Sequence, residues 1–157
     1  MSDGMARLVV FILIVVLLWS GTWVGRRFVE MRRRQALAAA PLDSTAIGSN
    51  AEAGTILAIS TGKARVRILA FQSEDCHQCH TLQAPALKRV LETCGDAVSV
   101  VEIDAPGAPE LTQHYRVLTL PTTVVLDATG KAHAVNYGFA PTQRLLEQVN
   151  TVLATNP

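Results

Sequence analysis

The stretch "SEDCHQCHTLQAP", Ser73 to Pro85, gathers Glu74, Asp75, Cys76, His77, Cys79 and His80 within a few residues. A Cys-x-x-Cys pair followed directly by histidine fits three chemistries. As a dithiol, Cys76 would be the nucleophile and Cys79 the thiol that resolves a mixed disulfide. His77, beside Cys76, adds positive charge, which lowers a thiol pKa. As a metal site, Cys76 and Cys79 with His77 or His80 would supply soft thiolates and an imidazole, a set that suits zinc or copper. The chain offers no second ligand pair at finger-like spacing, so such a site would be open or bridging. As a haem attachment sequence the motif would make His80 an axial ligand. No methionine follows Met31, and only His114 and His133 stand as distant second ligands, which sets that reading aside.

The elements around the motif decide among these. "TILAIS" (Thr55 to Ser60) and "RVRILAFQ" (Arg65 to Gln72) are apolar, β-branched runs separated by a turn-like "TGKA", and both read as strands. The second ends at the cysteines. In "QCHTLQAPALKRVLETCG", Leu82, Pro85, Ala86, Leu87, Val90, Leu91 and Cys94 recur three or four apart, the mark of a helix that Gly95 ends. Cys94, on that apolar face, reads as a buried and inert thiol. "AVSVVEIDA" is continuous enough for a strand buried on both faces. "APELTQHYRV" is a short helix opened by Pro109 and Glu110. "TLPTTVVLD" and "AHAVNYGF" flank "ATGK" as a hairpin, and "PTQRLLEQVNTVLA" closes the chain as an amphipathic helix. His114 and His133 fall near element ends and read as solvated surface.

This order of elements predicts an α/β domain with a mixed central sheet and helices on its faces. A Cys-x-x-Cys pair where a strand passes into a helix is the redox arrangement. There the free N–H groups and the positive end of the helix dipole favour a thiolate. A metal site, and a tethered binding module whose cysteines only report redox state, remain the other open readings.

From Thr55 to Leu153 three features in order carry a resemblance: strand, "SEDCHQC" and helix; "LTLPTTVVLD" with Pro121; and "NYGFAP" with Gly138. The chain resembles the thioredoxin family. That resemblance implies a thioredoxin-like three-layer α/β/α sandwich, disulfide oxidoreductase activity on protein disulfides or dithiols, and no cofactor. It also implies a cis-Pro121 against the cysteines and a Leu120 backbone that pairs with an extended substrate segment. The sequence departs from the family pattern at four places. Asp75 replaces the aromatic residue before the first cysteine, and His77-Gln78 replaces Gly-Pro between the cysteines. Ala70 stands where many members have a buried acid, and Pro85 comes one residue later than the usual helix proline. These departures imply a specialised oxidoreductase, with Glu74, Asp75 or His80 as candidates for the missing base.

The front of the chain is of another kind. From Leu8 to Gly25 no residue is charged over 18 positions, enough for a helix of about 27 Å, close to the bilayer core. Trp19 and Trp23 lie near its end, where aromatic rings favour the headgroup layer. A cleaved signal peptide is the competing reading, but the small-residue stretch "ALAAAP" lies beyond "RRFVEMRRR", too far from the apolar core. The expected organisation is a tail at 1–7, a transmembrane helix at 8–25, a basic flank and linker at 26–50, and the thioredoxin-like domain at 51–157. Arg26, Arg27, Arg32, Arg33 and Arg34 favour a cytoplasmic side for the domain, with an extracytoplasmic domain as the alternative. From Gln35 onward there are 8 Lys and Arg against 11 Asp and Glu, a net of −3, with the cations scattered. That distribution lacks a nucleic-acid footprint. The protein is expected to be a monomer tethered to the cell membrane by a single span.

Overall fold

The computed structural model describes residues 2–37 and 64–155. The expected strand Thr55–Ser60 lies outside the described residues. The chain divides into two units, 1–34 and 35–157.

Helix α1 runs over Ser2–Leu37, well past the apolar stretch and through the arginines. Among the described residues it is the one helix long and apolar enough to cross a membrane by length and composition. From Phe11 to Met31 its side chains are exposed, Trp19 at 81% and Leu17 at 70%. Towards the basic end the Arg27 guanidinium lies 4.6 Å from the centre of the Trp23 ring, and that of Arg32 lies 5.2 Å from Phe28. Such stacking keeps a cation beside an aromatic face without removing it from water.

The second unit is built on a four-stranded sheet. Its strands are β1 (Val66–Gln72), β2 (Val98–Asp104), β3 (Thr122–Asp127) and β4 (Ala132–Tyr137), in the order β2-β1-β3-β4. β1 pairs parallel with β2 and antiparallel with β3, which pairs antiparallel with β4. The sheet is mixed, as the apolar pattern predicts. The parallel pair is joined through helix α2 (Ala84–Cys94), and helix α3 (Pro109–His114) lies between β2 and β3. Helix α4 (Thr142–Thr155) follows β4.

Side chains alternate across the sheet, so each strand feeds two cores. On one face Val66, Ile68 and Ala70 of β1 meet Leu87 and Val90 of α2 and Leu145, Val149 and Val152 of α4. On the other, Leu69 and Phe71 meet Ile103, Leu111 and Tyr115, with α3 above them. This is the three-layer α/β/α sandwich. Phe71, Leu69 and Ile68 are all within 1% of full burial, each worth about 1.5–3 kcal/mol in transfer free energy.

Three expectations are corrected in detail. β2 is not buried on both faces: Val101 and Glu102 are half-buried, because β2 is an edge strand among the described residues. Cys94 is half-buried at the end of α2, packed against the first core, and desolvation raises its thiol pKa. His133 is not simply on the surface. Its Nε2 lies 2.7 Å from Asp127 Oδ2 in the β3–β4 hairpin. That hairpin turns through Ala128 to Lys131, with Gly130 at φ +82°, a left-handed backbone that favours glycine.

Candidate active site

Cys76 and Cys79 sit where β1 gives way to the helix that crosses to β2. The chain leaves Gln72, turns through Glu74 and Asp75 with the Cys76 N–H on the Ser73 carbonyl at 3.0 Å, and enters a helix at His77. The two cysteines are joined as a disulfide with a Cα separation of 5.3 Å. They differ in access. Cys76 is half-exposed, whereas Cys79 is 2% exposed. The Cys79 N–H also points at Cys76 Sγ, 3.2 Å away.

Between the cysteines and α2 the helix is not an α-helix. Cys79–Gln83 forms a π turn, closed by the Ala84 N–H on the Cys79 carbonyl. The cause is legible in Pro85, which enters α2 within its first turn. Proline lacks an N–H, and its ring collides with the carbonyl four residues earlier, so one wider turn gives it room. The turn also shifts the inward face by one residue. Leu82, expected on the apolar face, is 45% exposed, and Gln83 is 3% exposed in its place. A buried amide needs partners, and Gln83 has two on one residue. Its Oε1 accepts the Ala140 N–H at 2.9 Å, and its Nε2 donates to the Ala140 carbonyl at 3.2 Å. The helix that carries the cysteines is thereby clamped to the β4–α4 loop.

The other expected site residues divide by neighbourhood. The Leu120–Pro121 peptide is cis, and Pro121 lines the same cavity as Cys79. Its carbonyl accepts the Gly138 N–H at 2.8 Å, with Gly138 at φ +81°. Leu120 is half-buried beside it. Leu118 at 45% and Phe139 at 40% exposure lie on the two segments that meet there. His77 is exposed, and its carbonyl accepts the Thr81 hydroxyl at 2.8 Å. His80 lies 3.1 Å, through Nε2, from the Glu74 carbonyl, which engages that nitrogen locally. Among the described residues no group of three or more His, Cys, Asp or Glu side chains is arranged to hold a metal ion.

Residues 57–151 match the family model for thioredoxin. The chain belongs to the thioredoxin family. Thioredoxin Y2 of the chloroplast of Arabidopsis thaliana is 33% identical over 86 residues, 55% of this chain and 50% of that protein. Thioredoxin of Bacillus subtilis (strain 168) is 33% identical over 75 residues, 48% of this chain and 70% of that protein. The chain thus spans about half the length of the Arabidopsis relative. Among solved structures, chloroplastic thioredoxin z, described as defining type-specific target recognition, aligns at 26% identity with a TM-score of 0.52, over 72% of this chain and 92% of that one. Thioredoxin-2 of the malaria parasite aligns at 20% identity and TM-score 0.52, over 58% and 86%, a likeness of fold.

Within this thioredoxin frame the structure adds residues that spacing alone does not single out. Below Cys79 is a cavity of about 10 Å³, lined by Ala70, Gln72, Gln83, Leu87, Glu102 and Pro121 among others. Ala70 and Glu102 are direct partners in the parallel β1–β2 register, so both side chains belong to the same face of the sheet. Glu102 Oε2 accepts a hydrogen bond from Gln72 Nε2 at 3.0 Å. The only sign of this in the sequence is one acid inside the apolar run "VSVVEID".

Proposed function

We propose that this protein is a membrane-tethered thiol-disulfide oxidoreductase that exchanges disulfides with protein substrates through Cys76 and Cys79. The observation that carries the reading is the asymmetry of the pair, with a half-exposed Cys76 at a helix start and a bonded, buried Cys79 one turn in. In the reduced protein the Cys79 N–H and the helix dipole favour a thiolate at Cys76. That thiolate attacks a substrate disulfide, forming a Cys76–substrate bond and releasing one substrate thiol. Cys79 then attacks Cys76 Sγ, forming the intramolecular disulfide and releasing the second substrate thiol. The substrate gains two electrons and the protein loses two. The reverse sequence oxidises a substrate dithiol.

His77 adds positive charge next to Cys76 on protonation, which makes the disulfide more oxidising. Leu120 and Pro121 hold the substrate segment, and exposed Leu118 and Phe139 give that segment an apolar seat. Helix α1 fixes the domain to the membrane as a single span. The arginines that follow the apolar stretch support a cytoplasmic domain, where the glutathione poise favours reduction of substrates. Protection of the domain from added protease in intact cells is expected, and its digestion would place it outside.

A Cys79→Ser variant removes the resolving step and leaves the attack. It is expected to accumulate mixed disulfides with protein substrates on the membrane, released by reductant and visible on non-reducing gels. Absence of any such adduct, with Cys76 still alkylated rapidly, would sink the exchange reading.

A further inference from the structure

We propose that Glu102 is the proton acceptor for Cys79 during resolution of the mixed disulfide, held in place by Gln72. The inference rests on the exchange reading above and concerns its second step. Cys79 is 2% exposed, so its thiol cannot deliver a proton readily to bulk water before it attacks. A thiol is a poor nucleophile until that proton leaves. Of the side chains that line the cavity against Cys79, Glu102 alone can take it up. Ala70, its direct partner on β1, has no titratable group.

The acids and bases that flank the cysteines are placed elsewhere, and His77, between them, is exposed. Glu74 and Asp75 are exposed in the turn before Cys76, and His80 is exposed with its Nε2 on the Glu74 carbonyl. Other charged groups on the packed elements also stay outside the cavity. Asp104, next on the same face of β2, is exposed and accepts the Gly107 N–H at 3.0 Å, while Lys88 and Glu92 of α2 are exposed.

The cavity, about 10 Å³, is on the order of the space one water needs, so a single water can carry the proton between the two groups. Gln72 donates to one carboxylate oxygen and fixes the side chain. The Cys79 proton passes to the Glu102 carboxylate, the Cys79–Cys76 bond forms, and the Cys76–substrate bond breaks. The departing substrate thiolate then takes a proton from solvent, and Glu102 returns its own. When a dithiol reduces the protein, Glu102 as the acid protonates Cys79 as it leaves.

The test uses the full chain in detergent micelles, reduced, in a Cys94→Ala background so that only two thiols report. Ellman's reagent (5,5′-dithiobis-2-nitrobenzoate) releases one thionitrobenzoate when Cys76 attacks it and a second when Cys79 resolves the adduct. For Glu102→Gln the first phase is expected to match the parent within twofold. The second is expected to slow by about 10²-fold at pH 6, the ordinary worth of a positioned base. That gap should close as pH rises past about 8.5, the ordinary value of a free thiol, where hydroxide replaces the base. Glu102→Asp should recover part of the rate.

Gln72→Leu keeps the carboxylate but frees it, and should slow the second phase several-fold, which keeps the test open if Glu102→Gln folds poorly. An unchanged second phase in Glu102→Gln overturns the proposal. So does a slowing that is equal at every pH, which would assign Glu102 a structural role alone. A parent protein that shows the first phase and never the second would instead overturn the exchange reading itself.

Discussion

At the hairpin end of the sheet the Asp127 carboxylate receives four hydrogen bonds, from the Thr129 N–H and hydroxyl, the Lys131 N–H and His133. At the dithiol end, among the described residues, the Glu102 carboxylate receives one, from Gln72. The register separates them: Asp127 faces Val66 at the start of β1, while Glu102 faces Ala70 near its end. Burial pushes the Asp127 carboxyl up, but its hydrogen bonds outweigh burial and hold the pKa at about 2. It is therefore a fixed charge at neutral pH, a part of the turn. The contrast is one of anchoring: four donors hold the buried Asp127 as a charged part of its turn, whereas a single donor holds the half-buried Glu102.

The strongest way to break this comparison is to remove each acid. Asp127→Ala strands four donors in and beside a tight turn and is expected to cost about 3 kcal/mol in urea unfolding, with dithiol kinetics unchanged. Glu102→Gln keeps its bond to Gln72 available and should cost less than about 0.5 kcal/mol. Equal costs for the two would mean that donor number is not what separates them.

Gln83 sharpens the contrast from the other side, because it is a saturated group at the dithiol end. Gln83→Ala leaves the buried Ala140 N–H and carbonyl unpaired, and a loss of about 2 kcal/mol is expected. Faster hydrogen exchange at the Ala140 amide would report the released clamp, and unchanged exchange would contradict it.

Acid titration gives an effect of similar size. The folded pKa of Asp127 is about 2 against 3.8 for the free side chain. A depressed carboxyl pKa stabilises the fold above the unfolded value, so about 2 kcal/mol is present at pH 7 and is lost as pH falls from about 4 to 2. Asp127→Asn should lack this share of the acid limb when its stability curve is compared with that of the parent.

The smallest expected effect belongs to neither end. Arg116 closes α3 at φ +54°, with the Val117 N–H on the Thr112 carbonyl at 2.9 Å, a position where glycine carries no Cβ strain. Arg116→Gly should stabilise the fold by up to about 1 kcal/mol without altering either carboxylate. A destabilisation would show that the Arg116 side chain is held by contacts stronger than the backbone strain.

Much of this could be read from the chain because local signals and tertiary demands agree. The runs at 66–72 and 122–127 are apolar and β-branched, Pro109 opens α3 and Pro141 precedes α4, and the "ATGK" turn lies where the hairpin bends. Cys76 and Cys79 are legible from their spacing at a strand-to-helix junction, and Pro121 only through the resemblance to the thioredoxin family. The inward turn of Gln83 was not. A helical recurrence assumes a constant period, and one π turn breaks it between Leu82 and Gln83. Glu102 was hidden because its meaning depends on a parallel partner, Ala70, 32 residues away in sequence. His133 joined Asp127 through a cross-hairpin contact that exposure patterns do not encode.

The π turn at Cys79–Gln83 also works as a slip joint. It takes up one residue of surplus chain between the thiols and the proline, leaving the bonded pair at the helix start and the rest of α2 in phase with the sheet. Removing a single residue there, such as the exposed Leu82, would let the segment rewind as an ordinary α-helix while both anchored ends keep their seats. The wall of the cavity, however, would be recut: whichever side chain rotates inward would decide what Cys79 meets. Length, as well as residue type, is thus a variable by which this stretch can be retuned.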